Sequence, residues 1–461
     1  MYYKLNPDIA LRSWSDYPYG YYIRNNPDIH PLTQETFALL SKCDSLHDLP
    51  DSPELALFTF SGHVSPCQKG EGNFSAWQRM TCDNKHYPSL NWMITGKCNY
   101  NCRHCFNARD NAPLMSEFTL EEGMHFLDEV QRAGINSFTI TGGEPMLHSH
   151  FNDFIRGIYD RGMYVAELNT NGYFINDESL KALSEIGCRP LIKISFDGIG
   201  HHDWLRNFPG AEQITLDAIR CCARNGFRVM IQTNVFRSNV SSLQDTVDLM
   251  EKLGAERIRF IRTTEVPRWD ANAPGETLNF EEYFESMLVL AEKFREKPHT
   301  IYVDIWQFLK LNPEKKQFKI SPVLFPKGQL KESCPVCPST RKMPAVTAEG
   351  ELYPCMQMSG KLSAIGIRMG NVKESGLIPL LRSGTFVDTV CSTVGMKAEA
   401  NETCRNCRWF QYCGGGCPAL SINYNGSFLS CDPLKCLFFN NGYYERIEEL
   451  FPDWENLSPL A

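Results

Sequence analysis

The sequence predicts an α/β fold: a partial (β/α)6 barrel of TIM type with a cysteine-rich C-terminal domain and a small N-terminal domain. Three observations carry this. First, six short apolar, β-branched runs recur between about Leu90 and Arg262: LNWMIT, SFTIT, YVAELNT, LIKISF, RVMIQTNV and RIRFI. Second, helical patterns separate them, such as TLEEGMHFLDEVQRAG and DESLKALSEIG. Strands that alternate with helices build right-handed βαβ units and a parallel sheet. Third, every helical pattern closes on a glycine, at Gly134, Gly162, Gly187, Gly226 and Gly254. Glycine is the residue that best tolerates the left-handed turn ending a helix.

Taken in order, the chain divides at 1–85, 86–309 and 310–461. In the first unit YYKLNPDIALRSW and YGYYIR read as strands, and LTQETFALLSKC reads as a helix with Thr33 as its N-cap. The middle unit is the barrel, followed by a helical connection, FEEYFESMLVLAEKFREK. From about Lys310 onward proline, glycine and cysteine accumulate and periodicity fades. PAVTAEGELYPC reads as a hairpin turning at Glu349–Gly350 with Cys355 at its far end. A segment this poor in core and rich in cysteine is best stabilised by metal.

Composition narrows the function classes. With 461 residues, 43% hydrophobic and 22% charged, the chain can bury cores without disulfides. A net charge of −8 gives no basic surface for nucleic acid. Apolar runs stay below the ~18 residues a membrane span needs, and MYYKLNPDIALRSW lacks the pattern of a signal peptide. Nineteen cysteines, an odd and clustered set, fit metal-bound thiolates in a reducing cytoplasm better than a secreted disulfide scaffold.

Ligands of open α/β sheets sit at the carboxyl ends of the strands. Four unusual segments fall at that edge: the CNYNCRHC loop after the first strand, TGGEP after the second, NTNG after the third and SFDG at the fourth. One shared pocket is the economical explanation. Cys98, Cys102 and Cys105 offer three thiolates, one fewer than a four-iron cube takes, so one iron stays open for chemistry. A zinc knuckle completed by His104 or a remote ligand is the alternative on spacing alone.

CNYNCRHCF followed by GGEP resembles the radical S-adenosylmethionine (SAM) superfamily. The resemblance implies that the open iron binds SAM, whose cleavage yields a 5′-deoxyadenosyl radical. It places Gly142, Gly143, Glu144 and Pro145 at the SAM amino group. Asn169, Asn171, Ser195, Asp197 and Arg206 would meet its ribose and carboxylate, although Asn171 and Asp197 also suit capping roles. No catalytic acid or base is assigned.

The C-terminal spacing, Cys337-x12-Gly350-x4-Cys355 and Cys404-x2-Cys407-x5-Cys413-x3-Cys417, resembles the SPASM domain with its two auxiliary four-iron clusters. The resemblance groups Cys334, Cys337, Cys355 and Cys417 in one cluster. It groups Cys404, Cys407, Cys413 and Cys436 in the other, with Cys431 as a competitor for the last place. Three [4Fe-4S] clusters and SAM are thus the implied cofactors, with zinc ribbons the alternative for the CxxC pairs. The remaining cysteines, Cys43, Cys67, Cys82, Cys188, Cys221, Cys222, Cys391 and Cys431, read as small core hydrophobes.

Members of this group mostly modify peptides. The first unit resembles a winged-helix leader-peptide recognition element, which binds an extended peptide by β-augmentation; a simple cap over the barrel is the alternative. In sulfatase-maturing relatives an aspartate follows the G-x4-C cysteine, but here Met356 follows Cys355, and a thioether cannot act as a base. YPCMQM instead resembles maturases that form sulfur-to-carbon thioether links in ribosomally made peptides. The expected reaction is therefore thioether formation in a leader-bearing precursor peptide, with a flavodoxin or ferredoxin as electron donor. Carbon–carbon crosslinking, sulfatase maturation and epimerisation (with Cys221 or Cys222 as hydrogen donor) are the neighbouring chemistries. A non-catalytic iron–sulfur electron carrier is the contrasting class.

Overall fold

The computed structural model describes residues 1–72, 74–75, 77–107, 115–359 and 361–460. The six expected strands are Ser89–Thr95, Ser137–Gly142, Tyr164–Thr170, Leu191–Ser195, Val229–Val235 and Arg257–Arg262. They pair in parallel in that order, and Tyr302–Ile305 adds a seventh parallel strand. That seventh strand follows the helix Phe280–Arg295, which thereby acts as one more βα crossover rather than a bare connection. The sheet stays open and grows at both edges. Antiparallel strands Leu309–Asn312 and Gln317–Ile320 extend one side, and the hairpin Ala345–Val346/Leu352–Tyr353 pairs with the first strand on the other.

Local chemistry explains the helices between the strands. Thr119 caps Leu120–Arg132 in a reciprocal box with Glu122, and Asn176 caps Asp177–Ile186 with Ser179. The five glycines expected to end the helices all have positive φ, between 70° and 86°. Two also make room for the N-terminal unit: a Cβ on Gly134 would strike Trp14 and Cys82, and one on Gly162 would strike Trp77. The N-terminal unit therefore seats on the turns that lead into the strands, at the end of the barrel away from the strands' carboxyl edge.

That unit holds a four-stranded sheet and a two-stranded sheet, Tyr2–Leu5 with Val64–Cys67. Thr33 Oγ1 accepts the Thr36 N–H at 3.1 Å, as expected for the cap of helix Gln34–Leu40. A second helix, Pro53–Phe60, begins with Ser52 as its cap and was not apparent from the pattern.

The C-terminal region departs from its expected poverty of core. Leu362, Leu377, Phe386, Leu420, Phe438 and Tyr443 are buried in one apolar cluster continuous with the barrel interior. Its helices, such as Gly384–Val390 and Pro433–Asn440, run only four to eight residues. A helix of two turns is too short to display a 3.6-residue period.

Docking of this region onto the barrel is held partly by a buried acid. Glu129, on helix Leu120–Arg132, is 8% exposed, and its carboxylate accepts the Leu377 N–H at 2.6 Å. Glu129→Ala leaves that donor buried and unpaired. It should destabilise the protein by about 1–3 kcal/mol, read as a lower urea midpoint, whereas an unchanged midpoint would show that the contact carries no weight.

Candidate active site and cysteine clusters

At the strands' carboxyl edge the four special segments are stitched together by backbone. Gly143 N donates to Thr95 O at 2.7 Å and Glu144 N to Lys97 O at 2.9 Å. A Cβ on Gly143 would collide with the Lys97 and Gly96 carbonyls, so only glycine allows this approach. Asn107 Nδ2 donates to Gly142 O at 2.8 Å, tying the far side of the cysteine loop to the second strand. Asn171 Nδ2 donates to Asn99 Oδ1 at 2.8 Å and reaches Cys98 Sγ at 3.9 Å.

These segments enclose a cavity of about 900 Å³. Cys98, Cys102 and Cys105 line it, as do Gly142, Gly143, Asn169, Asn171, Ser195 and Arg206. Glu144, Pro145 and Asp197 stand behind that wall. Glu144 is fully buried and its carboxylate accepts from Thr170 Oγ1, Met146 N and Asn171 N, the last at 2.7 Å. Burial pushes it up to about 7, against the pull of those bonds. Asp197 is also fully buried and pairs with Arg206 Nε at 2.7 Å and His202 Nδ1 at 3.0 Å. Burial alone would raise its carboxyl; Arg206 and His202 outweigh that and hold it well below the usual range. Both acids thus brace the residues that face the cavity.

The walls suit a polar guest beside a thiolate-bound group. Tyr100, His104, Asn169 and Arg206 line the cavity, and among the described residues Tyr100 Oη, His104 Nδ1, Asn169 Oδ1 and Arg206 Nη2 are buried without a hydrogen-bond partner. Buried polar atoms are paired in nearly all proteins, so four unmet ones around one cavity point to a ligand rich in polar atoms. Such atoms fit the amino, carboxylate and ribose groups of SAM. The thiols fit an iron–sulfur cube better than zinc. His104 Nε2 is bonded to Asn234 Nδ2 at 3.0 Å, which leaves only its Nδ1 for a zinc-knuckle arrangement. Among the described residues no three His, Cys, Asp or Glu side chains gather closely enough for a single metal ion. A cube places its cysteines on separate irons and needs no such gathering.

Several contributors went unread in the sequence. Lys193 and Gln232 line the cavity, and Asn234 bonds His104 beside it. Lys193 also pairs with Glu167 at 2.5 Å. The signal was present: Glu167/Asn169, Lys193/Ser195 and Gln232/Asn234 are polar residues at alternate positions of otherwise apolar strands, which places them on one inward face. Arg268, whose Nε donates to Cys102 O at 2.9 Å, lies on the short helix Pro267–Asn272 and had no such signal.

The C-terminal cysteines form two neighbourhoods. Burial and the Asp432 carboxylate push the Cys417 thiol up to about 12, with Cys337 and Cys355 adding to the effect. Cys404, Cys407, Cys413, Cys431 and Cys436 line a second cavity of about 150 Å³ together with Trp409, whose buried Nε1 has no partner among the described residues. Both contenders for the last ligand position are therefore at the site. Cys334 Sγ meets the backbone of its own turn, at Lys331 N (3.4 Å) and Gln329 O (3.8 Å). Cys221 and Cys222 are buried in the helix Ala211–Arg224 and do not line the main cavity. Cys431 departs from the expected core role because it faces the cluster cavity, and half-buried Cys391 sits 3.2 Å from Arg341 Nη1.

Comparison with known proteins agrees with this geometry. Residues 92–253 match the radical SAM superfamily, and residues 334–408 match SPASM, an iron–sulfur cluster-binding domain. An AdoMet-dependent heme synthase of Methanosarcina barkeri is 24% identical over 350 residues, covering 75% of this chain and 95% of that protein. The Bacillus subtilis sporulation killing factor maturation protein SkfB is 25% identical over 202 residues, covering 43% of this chain and 48% of its own. In fold, Streptococcus suis SuiB, solved with its precursor peptide SuiA, superposes with a TM-score of 0.64 over 94% of this chain and 99% of that one, at 12% identity.

The Thr170–Glu144 contact gives a prediction whose size depends on pH. Because the folded value lies above the ordinary one, this acid favours folding below the ordinary carboxylate range and ceases to as pH rises through about 7. The Thr170 hydroxyl stabilises the ionised form. Thr170→Val should therefore destabilise by about 1–3 kcal/mol at about pH 8 and by clearly less at about pH 5. Equal losses at both pH values in urea denaturation would contradict this.

Proposed function

For a chain that carries a radical SAM domain followed by a SPASM domain, we propose peptide maturation: formation of a sulfur-to-carbon thioether link in a ribosomally made precursor. The observation that carries the reading is the combination of a polar cavity of about 900 Å³ on a three-thiol loop with an N-terminal unit that the heme-synthase match need not include. The SuiB likeness spans 94% of the chain, far enough to run into that unit, whereas the heme-synthase match spans 75%.

The residues divide the work by position. Cys98, Cys102 and Cys105 hold an iron–sulfur cluster, with Asn171 Nδ2 beside one sulfur and Arg206 Nη1 3.9 Å from another. Asn169, Ser195 and the free Arg206 Nη2 receive the polar groups of SAM. Gly142 and Gly143 bring their backbone to its amino group, while Glu144 and Asp197 keep these walls in register. SAM at such a cluster supplies, on one-electron reduction, a 5′-deoxyadenosyl radical that takes hydrogen from unactivated carbon. In the net reaction the C–H hydrogen atom leaves in 5′-deoxyadenosine, the thiol hydrogen leaves as a proton, one C–S bond forms, and the surplus electron passes to an auxiliary iron–sulfur cluster.

Leader capture finds support in the N-terminal unit. Ile29–Pro31 is the edge of its four-stranded sheet, and Leu57 and Phe60 stand exposed at i, i+3 on helix Pro53–Phe60, Phe60 at 92%. An open sheet edge and exposed apolar side chains within one unit suit capture of an extended segment. Epimerisation is weakened, since Cys221 and Cys222 lie in the core rather than at the cavity. A tetrapyrrole substrate is the second reading, favoured by the heme synthase that matches through most of its own length.

The deciding experiment is anaerobic. The reconstituted protein, SAM and reductant are incubated with a cysteine-containing candidate precursor peptide, sought among small open reading frames near its gene, and the product is analysed by tandem mass spectrometry. Loss of two hydrogens with loss of a free thiol is expected. Unchanged mass with deuterium uptake from heavy water would mean epimerisation and overturn the thioether claim. Inert peptide with conversion of a carboxylated tetrapyrrole would establish the second reading.

A further inference from the structure

Between the two C-terminal cysteine neighbourhoods lies a cation that the reaction above does not use. Lys397, on helix Val394–Ala400, is fully buried. Its Nζ donates to Gly415 O at 2.7 Å and more weakly to Ser421 Oγ at 3.5 Å. Among the described residues no carboxylate lies within ion-pair distance of it. Charged and titratable groups near it include Cys404, Cys413, Cys417 and Asp432, and Lys435 also neighbours Asp432. Asp432 is itself committed elsewhere. Its carboxylate caps helix Pro433–Asn440 through Leu434 N and Lys435 N and accepts the Cys417 N–H at 2.9 Å.

A second buried cation stands nearby, Lys435, whose Nζ is 3.4 Å from Pro322 O. Two buried ammonium groups against one buried carboxylate is an imbalance that protein interiors avoid. The local backbone is built to admit one of them. The three residues between Cys413 and Cys417 are Gly414, Gly415 and Gly416, all with positive φ, and a Cβ on Gly415 would occupy the space of the Lys397 stem. Thiolate-bound clusters would supply the further negative charge that Asp432 alone does not.

We propose that the Lys397 ammonium is the counter-charge shared by the two auxiliary iron–sulfur clusters and sets their reduction potentials. The inference rests on reading the two neighbourhoods as [4Fe-4S] sites, not on any substrate. A four-cysteine cube carries net charge −2 when oxidised and −3 after taking one electron, so a fixed buried cation favours the reduced form and raises the potential. Because Gly415 lies between a cysteine of one set and a cysteine of the other, one charge acts on both. Lys397 is a positioning residue for electrons, distinct from the groups around SAM.

The test is a redox titration followed by electron paramagnetic resonance on the full-length, reconstituted protein. Cys98, Cys102 and Cys105 are replaced by alanine so that only the auxiliary signals remain. In this background Lys397→Met should move the auxiliary midpoint potentials to lower values, and Lys397→Arg should leave them near the parent values. Unchanged potentials in Lys397→Met with iron retained would overturn the proposal. Should Lys397→Met lose iron, Lys397→Arg decides. Iron retained by arginine and lost by methionine shows that the charge holds the clusters, while loss in both makes the lysine a packing residue and overturns the assignment.

Discussion

The site depends on one buried carboxylate. Glu144 comes from the loop after the second barrel strand, yet it accepts hydrogen bonds from Thr170 and Asn171 at the end of the third. The glycine before it lets the same loop rest on the Lys97 carbonyl, one residue ahead of the first cysteine. Three consecutive strand ends are thereby fixed to one another at backbone distance. Without that clasp the cysteine loop would have no wall to close against, and a 900 Å³ cavity lined by unpaired polar atoms would collapse or flood. Asp197 repeats the device one strand further on, holding Arg206 on one side and Asn234 on the other.

Much of this was legible in the sequence. Alternating apolar runs, five terminal glycines and four motifs at one edge specified the barrel and where its cavity lies. The polar barrel interior was also written there, in the alternate-position pairs Lys193/Ser195 and Gln232/Asn234, but their neighbours' apolar character masked them. What the sequence could not disclose is orientation. Glu144 and Asp197 sit in the right motifs, and only the three-dimensional arrangement shows their carboxylates turned away from the cavity and spent on backbone and side-chain donors.

In the C-terminal half cysteine spacing proposes ligands but says nothing of the medium around them. Its core is larger than composition suggested because the buried residues of short helices merge with those of the barrel. Spacing also could not separate Cys431 from Cys436, and the structure explains the difficulty: both reach the same cavity. Nor does spacing announce Lys397, a single lysine in an unremarkable helix whose significance comes wholly from burial between two thiol sets.

Three separate clusters held by eleven of the nineteen cysteines are what we propose for this chain. Metal analysis of the anaerobically reconstituted protein tests this most directly. About twelve irons per chain, falling to about eight when Cys98, Cys102 and Cys105 become alanine, is the predicted result. Zinc in place of the C-terminal iron, or loss of all iron from the triple variant, would contradict it.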